Sequence, residues 1–130
     1  MRKAIDVKYV HSELSHGIIG CAMDVQNEVG PGLPEKTYQK LVGKEFFNKG
    51  YKYKEQVVVD LMYKGIKETT RRFDFVVENK IVVELKVGSH IGKKEYEQVR
   101  EYLKMSGLKL GLIVLFSYNG VIAKRVVNLY

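Results

Sequence analysis

Two segments rich in β-branched and aromatic residues, joined by a short polar turn within residues 71–87, constrain the fold of this chain more than any other feature. Such segments predict an antiparallel strand pair that turns at residues 78–80. Side chains alternate along a strand, so Glu84 and Lys86 share one face and the apolar residues between them can pack inward. The sequence therefore predicts a carboxylate and an ammonium side by side on the outer surface of a sheet.

Asp74, on the first of these two strands, can join that pair only in one register. A two-residue loop would place Asp74 opposite Leu85, on the wrong face, whereas a three-residue loop of residues 78–80 places it directly opposite Glu84. We therefore predict the three-residue loop or an equivalent bulge.

Two carboxylates this close to each other need a positive partner. Charges about 4 Å apart repel by roughly 4 kcal/mol at an effective dielectric constant near 20, so Asp74 and Glu84 need a proton, a lysine or a metal. Lys86 supplies one positive charge, and a hard divalent cation such as magnesium would satisfy the rest. Such an ion makes a hydroxide nucleophile and stabilises charge on a phosphate. The alternative is an ordinary solvent-facing ion pair, worth about 0–1 kcal/mol.

Length and composition predict one domain with a polyanionic partner. The chain has 130 residues, of which 45% are hydrophobic and 28% charged, which is typical of a single globular domain over residues 1–130. No apolar leader segment or membrane-length run is found, so we expect a cytoplasmic protein without membrane contact. The formal charge of +7 favours a nucleic acid as the partner.

The cysteine and histidine residues argue against several other kinds of site. One cysteine rules out an internal disulfide and a cysteine-cluster zinc site, and Cys21 lies on the apolar face of a predicted helix, where an inert thiol is expected. His11, His16 and His90 lack zinc-ligand spacing. Neither a glycine-rich phosphate loop nor a Ser or Cys nucleophile with a well-placed histidine is found, which disfavours nucleotide-binding folds and acyl transfer.

The rest of the pattern predicts an α/β fold. Ser12 would cap the first helix, and a Gly-Pro-Gly sequence at residues 30–32 would end it. The expected elements are helices at about 12–29, 34–48 and 93–105 and strands at about 56–62, 71–77, 81–87, 108–116 and 121–127. In the third helix, Tyr102 falls on a different stripe from Val99 and Leu103. Residues 1–10 would be a loose arm or a short edge segment. This order predicts a mixed sheet flanked by helices.

Three motifs in this order resemble a known family. Residues 32–38, Gly-Leu-Pro-Glu-Lys-Thr-Tyr, match the Gly-x-x-Glu-x-x-Tyr signature of the small bacterial and archaeal GxxExxY proteins. Asp74 followed by the tripeptide 84–86, Glu-Leu-Lys, resembles the Asp…(Asp/Glu)-x-Lys core of the PD-(D/E)xK nuclease superfamily, to which that family is assigned. Gln98 with Tyr102 resembles the Gln-x-x-x-Tyr-Leu helix of exonuclease-like members.

The resemblance covers nearly the whole chain and implies both a fold and a site. The fold would be a restriction-endonuclease-like core, and the activity would be hydrolysis of DNA phosphodiester bonds by a Mg²⁺- or Mn²⁺-dependent nuclease that uses a metal-activated water. The implied metal ligands are Asp74, Glu84 and the Leu85 carbonyl, and the other implied site residues are Lys86 as the catalytic lysine, Glu35 as an additional acid, and Gln98 and Tyr102 as positioning groups.

Two other functions are compatible with the same residues. The chain could be a nuclease-like module that binds nucleic acid or a partner protein without cutting. It could also be a subunit whose site is completed by a partner or by a second copy in a homodimer. Glu35 has a simpler explanation as well, since an acid in the first turn of a helix complements the helix dipole.

Overall fold

The computed structural model describes residues 10–128, which form three helices and five strands in the predicted order. The helices are α1 (Ser12–Val29), α2 (Glu35–Lys49) and α3 (Lys93–Ser106). The strands are β1 (Tyr53–Tyr63), β2 (Ile66–Val77), β3 (Ile81–Val87), β4 (Leu110–Ser117) and β5 (Gly120–Val127). The arm or edge segment expected at residues 1–10 lies almost wholly outside the described residues. Within residues 10–128, none of the helices combines the length and hydropathy of a membrane-spanning segment.

The strands form a mixed sheet in the order β1-β2-β3-β4-β5. Neighbouring strands are antiparallel except for β3 and β4, which are parallel and are joined through α3. A parallel pair needs a crossover of this length, usually a helix. The predicted α/β architecture with a central mixed sheet and flanking helices is therefore confirmed.

Helices cover both faces of the sheet. On one face, α1 and α2 pack over an apolar cluster that includes Phe46 and Phe75. On the other face, α3 packs over a second cluster that includes Phe73 and Val82. Strand β4 is buried at every position, as its continuous apolar run predicts. The expectation that Glu84 lies on an outer surface of the sheet is wrong, because α3 covers that face.

Two element boundaries differ from the sequence prediction. The N-cap of α1 is His11, in the left-handed conformation, and no side chain caps the helix; Ser12, the predicted cap, is the first helical residue. Strand β1 begins at Tyr53 instead of residue 56, because it continues to pair with β2 as far as Val77.

The predicted three-residue loop between β2 and β3 is confirmed. Val77 pairs with Ile81, which leaves residues 78–80 as the loop. The first two loop residues have φ values of 55° and 53°, the left-handed conformation that tight hairpin turns often require. The same register, continued past the last backbone pair, sets Asp74 opposite Glu84.

The ladder between β2 and β3 is short, and this positions the candidate site. In the described chain, β2 pairs with β3 over residues 75–77, opposite residues 81–83. Before residue 75, β2 pairs with β1 alone. Residues 57–73 therefore form a two-stranded arm, the β1–β2 arm, that separates from the rest of the sheet. Strands β2 and β3 therefore separate from each other at Asp74.

Candidate active site

Asp74 and Glu84 meet where the β2–β3 ladder ends. The backbone N–H of Asp74 donates to Glu84 Oε1 at 2.8 Å, and the backbone N–H of Leu85 donates to Asp74 Oδ2 at 2.8 Å. Opposite residues of an antiparallel ladder alternate between hydrogen-bonded and non-hydrogen-bonded pairs, so a regular ladder would use only one of these two amides. Here each carboxylate accepts from an amide of the facing strand, and the two acids predicted to face each other are in contact with each other's strands.

The backbone around Asp74 departs from regular strand geometry. Side chains alternate along a strand, so Phe73 and Phe75 should face the same side, yet Phe75 packs with α1 and α2 whereas Phe73 packs with α3. Across from Asp74, Gln56 has a φ of 49°, which is uncommon for a residue other than glycine. The Gln56 side chain acts on the Asp74 carboxyl and lowers its pKa. Strand β1 therefore contributes a polar group that no sequence motif had indicated.

Burial and mutual repulsion make it costly for both acids to be ionised. Burial raises the pKa of Asp74, against the opposing effects of the Leu85 N–H and the Lys86 charge. Burial, and after it the charge of Asp74, raises the pKa of Glu84 to about 8. At neutral pH the pair therefore carries either a shared proton or a cation in its place.

The oxygen atoms at the pair suit a hard divalent cation. The Leu85 carbonyl points to the same edge of β3 as its N–H, which donates to Asp74, so it faces the opening beside the two carboxylates. Magnesium binds through one or two carboxylates and keeps several waters. Across residues 10–128, no three His, Cys, Asp or Glu side chains converge as a metal site. Asp74, Glu84 and the Leu85 carbonyl fit the ion, and water would complete its coordination.

Lys86 lies on the same strand as Glu84, two residues further on, and its ammonium contacts Glu95 of α3. The distance from Lys86 Nζ to Glu95 Oε1 is 3.4 Å. The sequence predicted that this ammonium supplies a positive charge to the Asp74–Glu84 pair and did not predict its contact with Glu95. The Lys86 charge still acts to lower the pKa of both acids.

Glu95 contacts the candidate site and was not revealed by the family motifs. It is the third residue of α3, and its carboxylate lies close to its own backbone N–H and to that of Gly92, the N-cap. This is one half of a capping box, because glycine has no side chain to supply the other half. The hydrogen bond from its own N–H, and after it Lys86, lower the pKa of Glu95, so the side chain stays ionised. The Gly-x-x-Glu spacing at residues 92–95 is the sequence signal that could have found it.

Residues 30–38 form a compact unit that sets the direction of α2. The Tyr38 hydroxyl donates to the Gly30 carbonyl at 2.7 Å and accepts from the Leu33 N–H at 3.3 Å. The Tyr38 ring stacks on Phe116 with 4.1 Å between centroids. Gly32 has a φ of 90°, which favours glycine. The Gly and Tyr of the motif therefore hold the turn that leads into the first residue of α2.

Glu35 is that first residue, and its charge interacts with the site. Burial raises the pKa of Glu35, the charge of Asp74 raises it further, and the charge of Lys86 opposes both. The structure thus brings Glu35 within electrostatic range of the pair. A direct role in the chemistry stays a prediction.

Gln98 and Tyr102 lie on α3, which covers this face of the sheet. The Tyr102 ring is 4.6 Å from the ring of Phe73, the residue before Asp74, and burial raises the pKa of its phenol. The expectation that Tyr102 lies apart from the stripe of Val99 and Leu103 is wrong, because all three are buried in one cluster. Gln98 is half-buried. Contact of Gln98 or Tyr102 with a substrate stays a prediction.

The predicted burial of Cys21 is confirmed. Cys21 is fully buried, and burial raises the pKa of its thiol to about 11. A thiol with so high a pKa is a poor nucleophile at neutral pH.

Comparisons with known proteins agree with this geometry. A family model described as the PD-(D/E)XK nuclease superfamily matches residues 12–126. The chain belongs to the PD-(D/E)XK nuclease superfamily.

Solved structures share the fold at low sequence identity. An alkaline exonuclease (LHK-Exo) from Laribacter hongkongensis is 12% identical with a TM-score of 0.53, and the match covers 98% of this chain and 72% of that chain. The protein SSO0001 is 14% identical with a TM-score of 0.50, and the match covers 93% of this chain and 74% of that chain. No curated protein matches the sequence.

Proposed function

We propose that this protein is a Mg²⁺- or Mn²⁺-dependent nuclease that hydrolyses phosphodiester bonds in DNA at the Asp74–Glu84 pair. The observation that carries the proposal is the meeting of two buried carboxylates at the sheet opening, with the pKa of Glu84 raised to about 8. Such a pair has a place for a cation, and nucleases of this superfamily typically use divalent metals. The motif at residues 32–38 supports assignment to the GxxExxY group.

The metal would be held by Asp74, Glu84 and the carbonyl of Leu85. When bound, the ion would neutralise charge on the scissile phosphate and lower the pKa of water. Lys86, held in place by Glu95, would orient the attacking water or a phosphate oxygen.

Other site residues would act around this centre. Glu35, with its raised pKa, could hold a proton at the edge of the site. Gln98 and Tyr102 would position the phosphate from α3. A homodimer or a partner protein would add surface that contacts DNA, because a domain of this size offers little of it.

DNA is the substrate class that the charge supports. The formal charge of +7 suits a polyanion, whose phosphates supply most non-specific affinity. The similarity to an alkaline exonuclease agrees with a nucleic-acid substrate. A single domain over residues 1–130 and a location in the cytoplasm are part of the same proposal.

A silent binding module is the second candidate, and one observation favours it. Both carboxylates accept hydrogen bonds from backbone amides, so they stabilise the end of the ladder even without chemistry. The fold could then be retained for binding nucleic acid or protein alone.

Cleavage of end-labelled single- and double-stranded DNA in Mn²⁺ separates these candidates. We expect Asp74→Asn and Lys86→Ala to cut at least about 100-fold more slowly than the wild type, because each removes a group that stabilises the transition state. Asp60→Asn, on the β1–β2 arm, is the matched control and should cut at the wild-type rate. A wild type that binds DNA without cutting it, or an Asp74→Asn variant that cuts equally well, would leave the binding module as the function.

A further inference from the structure

A long basic groove runs beside the candidate site, between α2 and the strands β1 and β2. Its volume is about 710 Å³. Lys36, Lys40 and Lys44 line it from the helix, and Arg72 lines it from β2. The lysines are exposed and recur every four residues, so they follow one another at intervals of about 6 Å along the helix. Such intervals are comparable to the separation of phosphates in an extended single strand.

The charge of the groove is strongly unbalanced. Four basic side chains line it against one acidic side chain, Glu55, which leaves an excess of three positive charges. Gly43 forms the floor beside Glu55: a Cβ at this position would lie 2.6 Å from Glu55 Oε1. The groove thus presents positive charge to a polyanion.

The groove adjoins the carboxylate pair at Gln56. This residue lines the groove and lies across from Asp74 in the pairing of β1 with β2. Phe47 also lines the groove, and its side chain is 75% exposed. An exposed aromatic ring beside a basic groove is the arrangement on which unpaired bases stack. The bases of a duplex already stack on one another and offer such a ring no free face.

We propose that this groove binds one strand of single-stranded DNA and leads it to the Asp74–Glu84 pair. Lys40 and Lys44 contact successive phosphates, and Phe47 stacks with a base. The inference rests on the proposed function, because the proposed active site is the place to which the strand would lead. Binding is measured without metal, so a failure of this inference can be told apart from a failure of the proposed function.

The test is fluorescence anisotropy of labelled oligodeoxythymidine, about 15 nucleotides long, in EDTA over a range of salt concentrations. The double variant Lys40→Ala/Lys44→Ala should bind more weakly, and the slope of log K against log salt should become shallower by about 1.4, which is about 0.7 for each lost phosphate contact. The double variant Lys109→Ala/Lys124→Ala, near the opposite edge of the sheet, removes the same charge and should keep the wild-type slope.

Phe47→Ala gives an independent readout of stacking. It should bind the oligonucleotide about tenfold more weakly with an unchanged salt slope, because stacking releases no counterions. Its fold should be unaffected, since Phe47 is 75% exposed. Circular dichroism and thermal unfolding of each variant check this.

Three results would overturn the inference. The first is an equal loss of affinity in the Lys109/Lys124 control, which would assign binding to overall charge. The second is duplex DNA bound as tightly as the single strand with no effect of Phe47→Ala. The third is polyglutamate that displaces the oligonucleotide as well as unlabelled oligothymidine does, which would assign the groove to an acidic polypeptide.

Discussion

Strand β2 has two parts, and their far ends lie in opposite environments. Residues 75–77 pair with strands on both sides and are buried, with Phe75 completely inaccessible. Residues 66–73 pair with β1 alone, and Ile66, at the start, is 66% exposed. Asp74 lies at the boundary between the two parts.

The difference between the two parts of β2 shows where in this sheet a reactive site can form. Inside the paired part, β2 has a neighbouring strand on each side and its apolar side chains pack. At the boundary, two carboxylates accept hydrogen bonds from the backbone amides of Asp74 and Leu85. The same hydrogen bonds that close the ladder bring two anions together, and this creates the need for a proton or a cation.

The largest expected effect is on the free energy of unfolding, and it is measured by one substitution in each part of β2. Phe75→Ala should lower the free energy of unfolding by about 3–5 kcal/mol, because it leaves a cavity between α2 and the sheet where the ring contacts Phe46 at 5.0 Å between centroids. Ile66→Ala, in the arm, should change it by less than about 0.5 kcal/mol. Urea unfolding measures both. Similar losses in the two variants would mean that the arm is packed as tightly as the rest of the sheet.

Most of the packing behind this contrast could be predicted from sequence. The apolar run of β4, the helix-ending glycines and the loop length at residues 78–80 depend on local sequence, and each leads to the observed element. The coverage of both sheet faces could not be predicted in the same way, since it depends on where α3 packs. For that reason Glu84 was expected on an open surface and lies under a helix.

The next effect concerns the proton shared at the boundary. Glu84 has a pKa of about 8 in the folded chain, against about 4.3 when unfolded, so the folded chain binds more protons between these values and loses stability as the pH rises through them. Glu84→Gln mimics the protonated acid and lacks this loss. In EDTA, the free energy of unfolding of the variant relative to that of the wild type should rise by about 2–4 kcal/mol from pH 4.5 to pH 8.5. Urea unfolding measures this difference.

A control on the arm isolates this effect. Glu68→Gln removes an exposed carboxylate of the β1–β2 arm, and the difference in its free energy of unfolding from the wild type should stay constant with pH. A Glu84→Gln difference that is equally constant would contradict the shared proton.

The smallest effect concerns the lysine beside the boundary. Glu95→Gln removes the carboxylate of α3 that contacts Lys86, so the ammonium should be held less firmly and kcat should fall about tenfold with little change in KM. Glu97→Gln is the control, since it removes a similar contact with Lys93, at 3.7 Å, on the exposed side of α3. Steady-state cleavage in Mn²⁺ measures both. Equal rates for wild type and Glu95→Gln would remove Glu95 from the site.

The candidate site was only partly predictable, for a physical reason. The register of a hairpin follows from loop length, so the approach of Asp74 to Glu84 could be predicted from sequence. The place of Gln56 beside the pair could not, since it depends on tertiary packing. For Glu95, the Gly-x-x-Glu spacing indicates a helix N-terminus, but its contact with Lys86 depends on where α3 packs. The distorted backbone at Gln56 leaves no signature in the residues themselves.

Thermal unfolding with and without Mn²⁺ at pH 8 tests the central claim that the boundary of β2 is a metal site. At a hundred times the dissociation constant, the ion should stabilise the wild type by about 2.7 kcal/mol, which raises Tm by several degrees. Asp74→Asn should show no such rise, whereas Asp60→Asn, on the arm, should show the full rise. An unchanged Tm in the wild type, or a full rise in Asp74→Asn, would contradict the account.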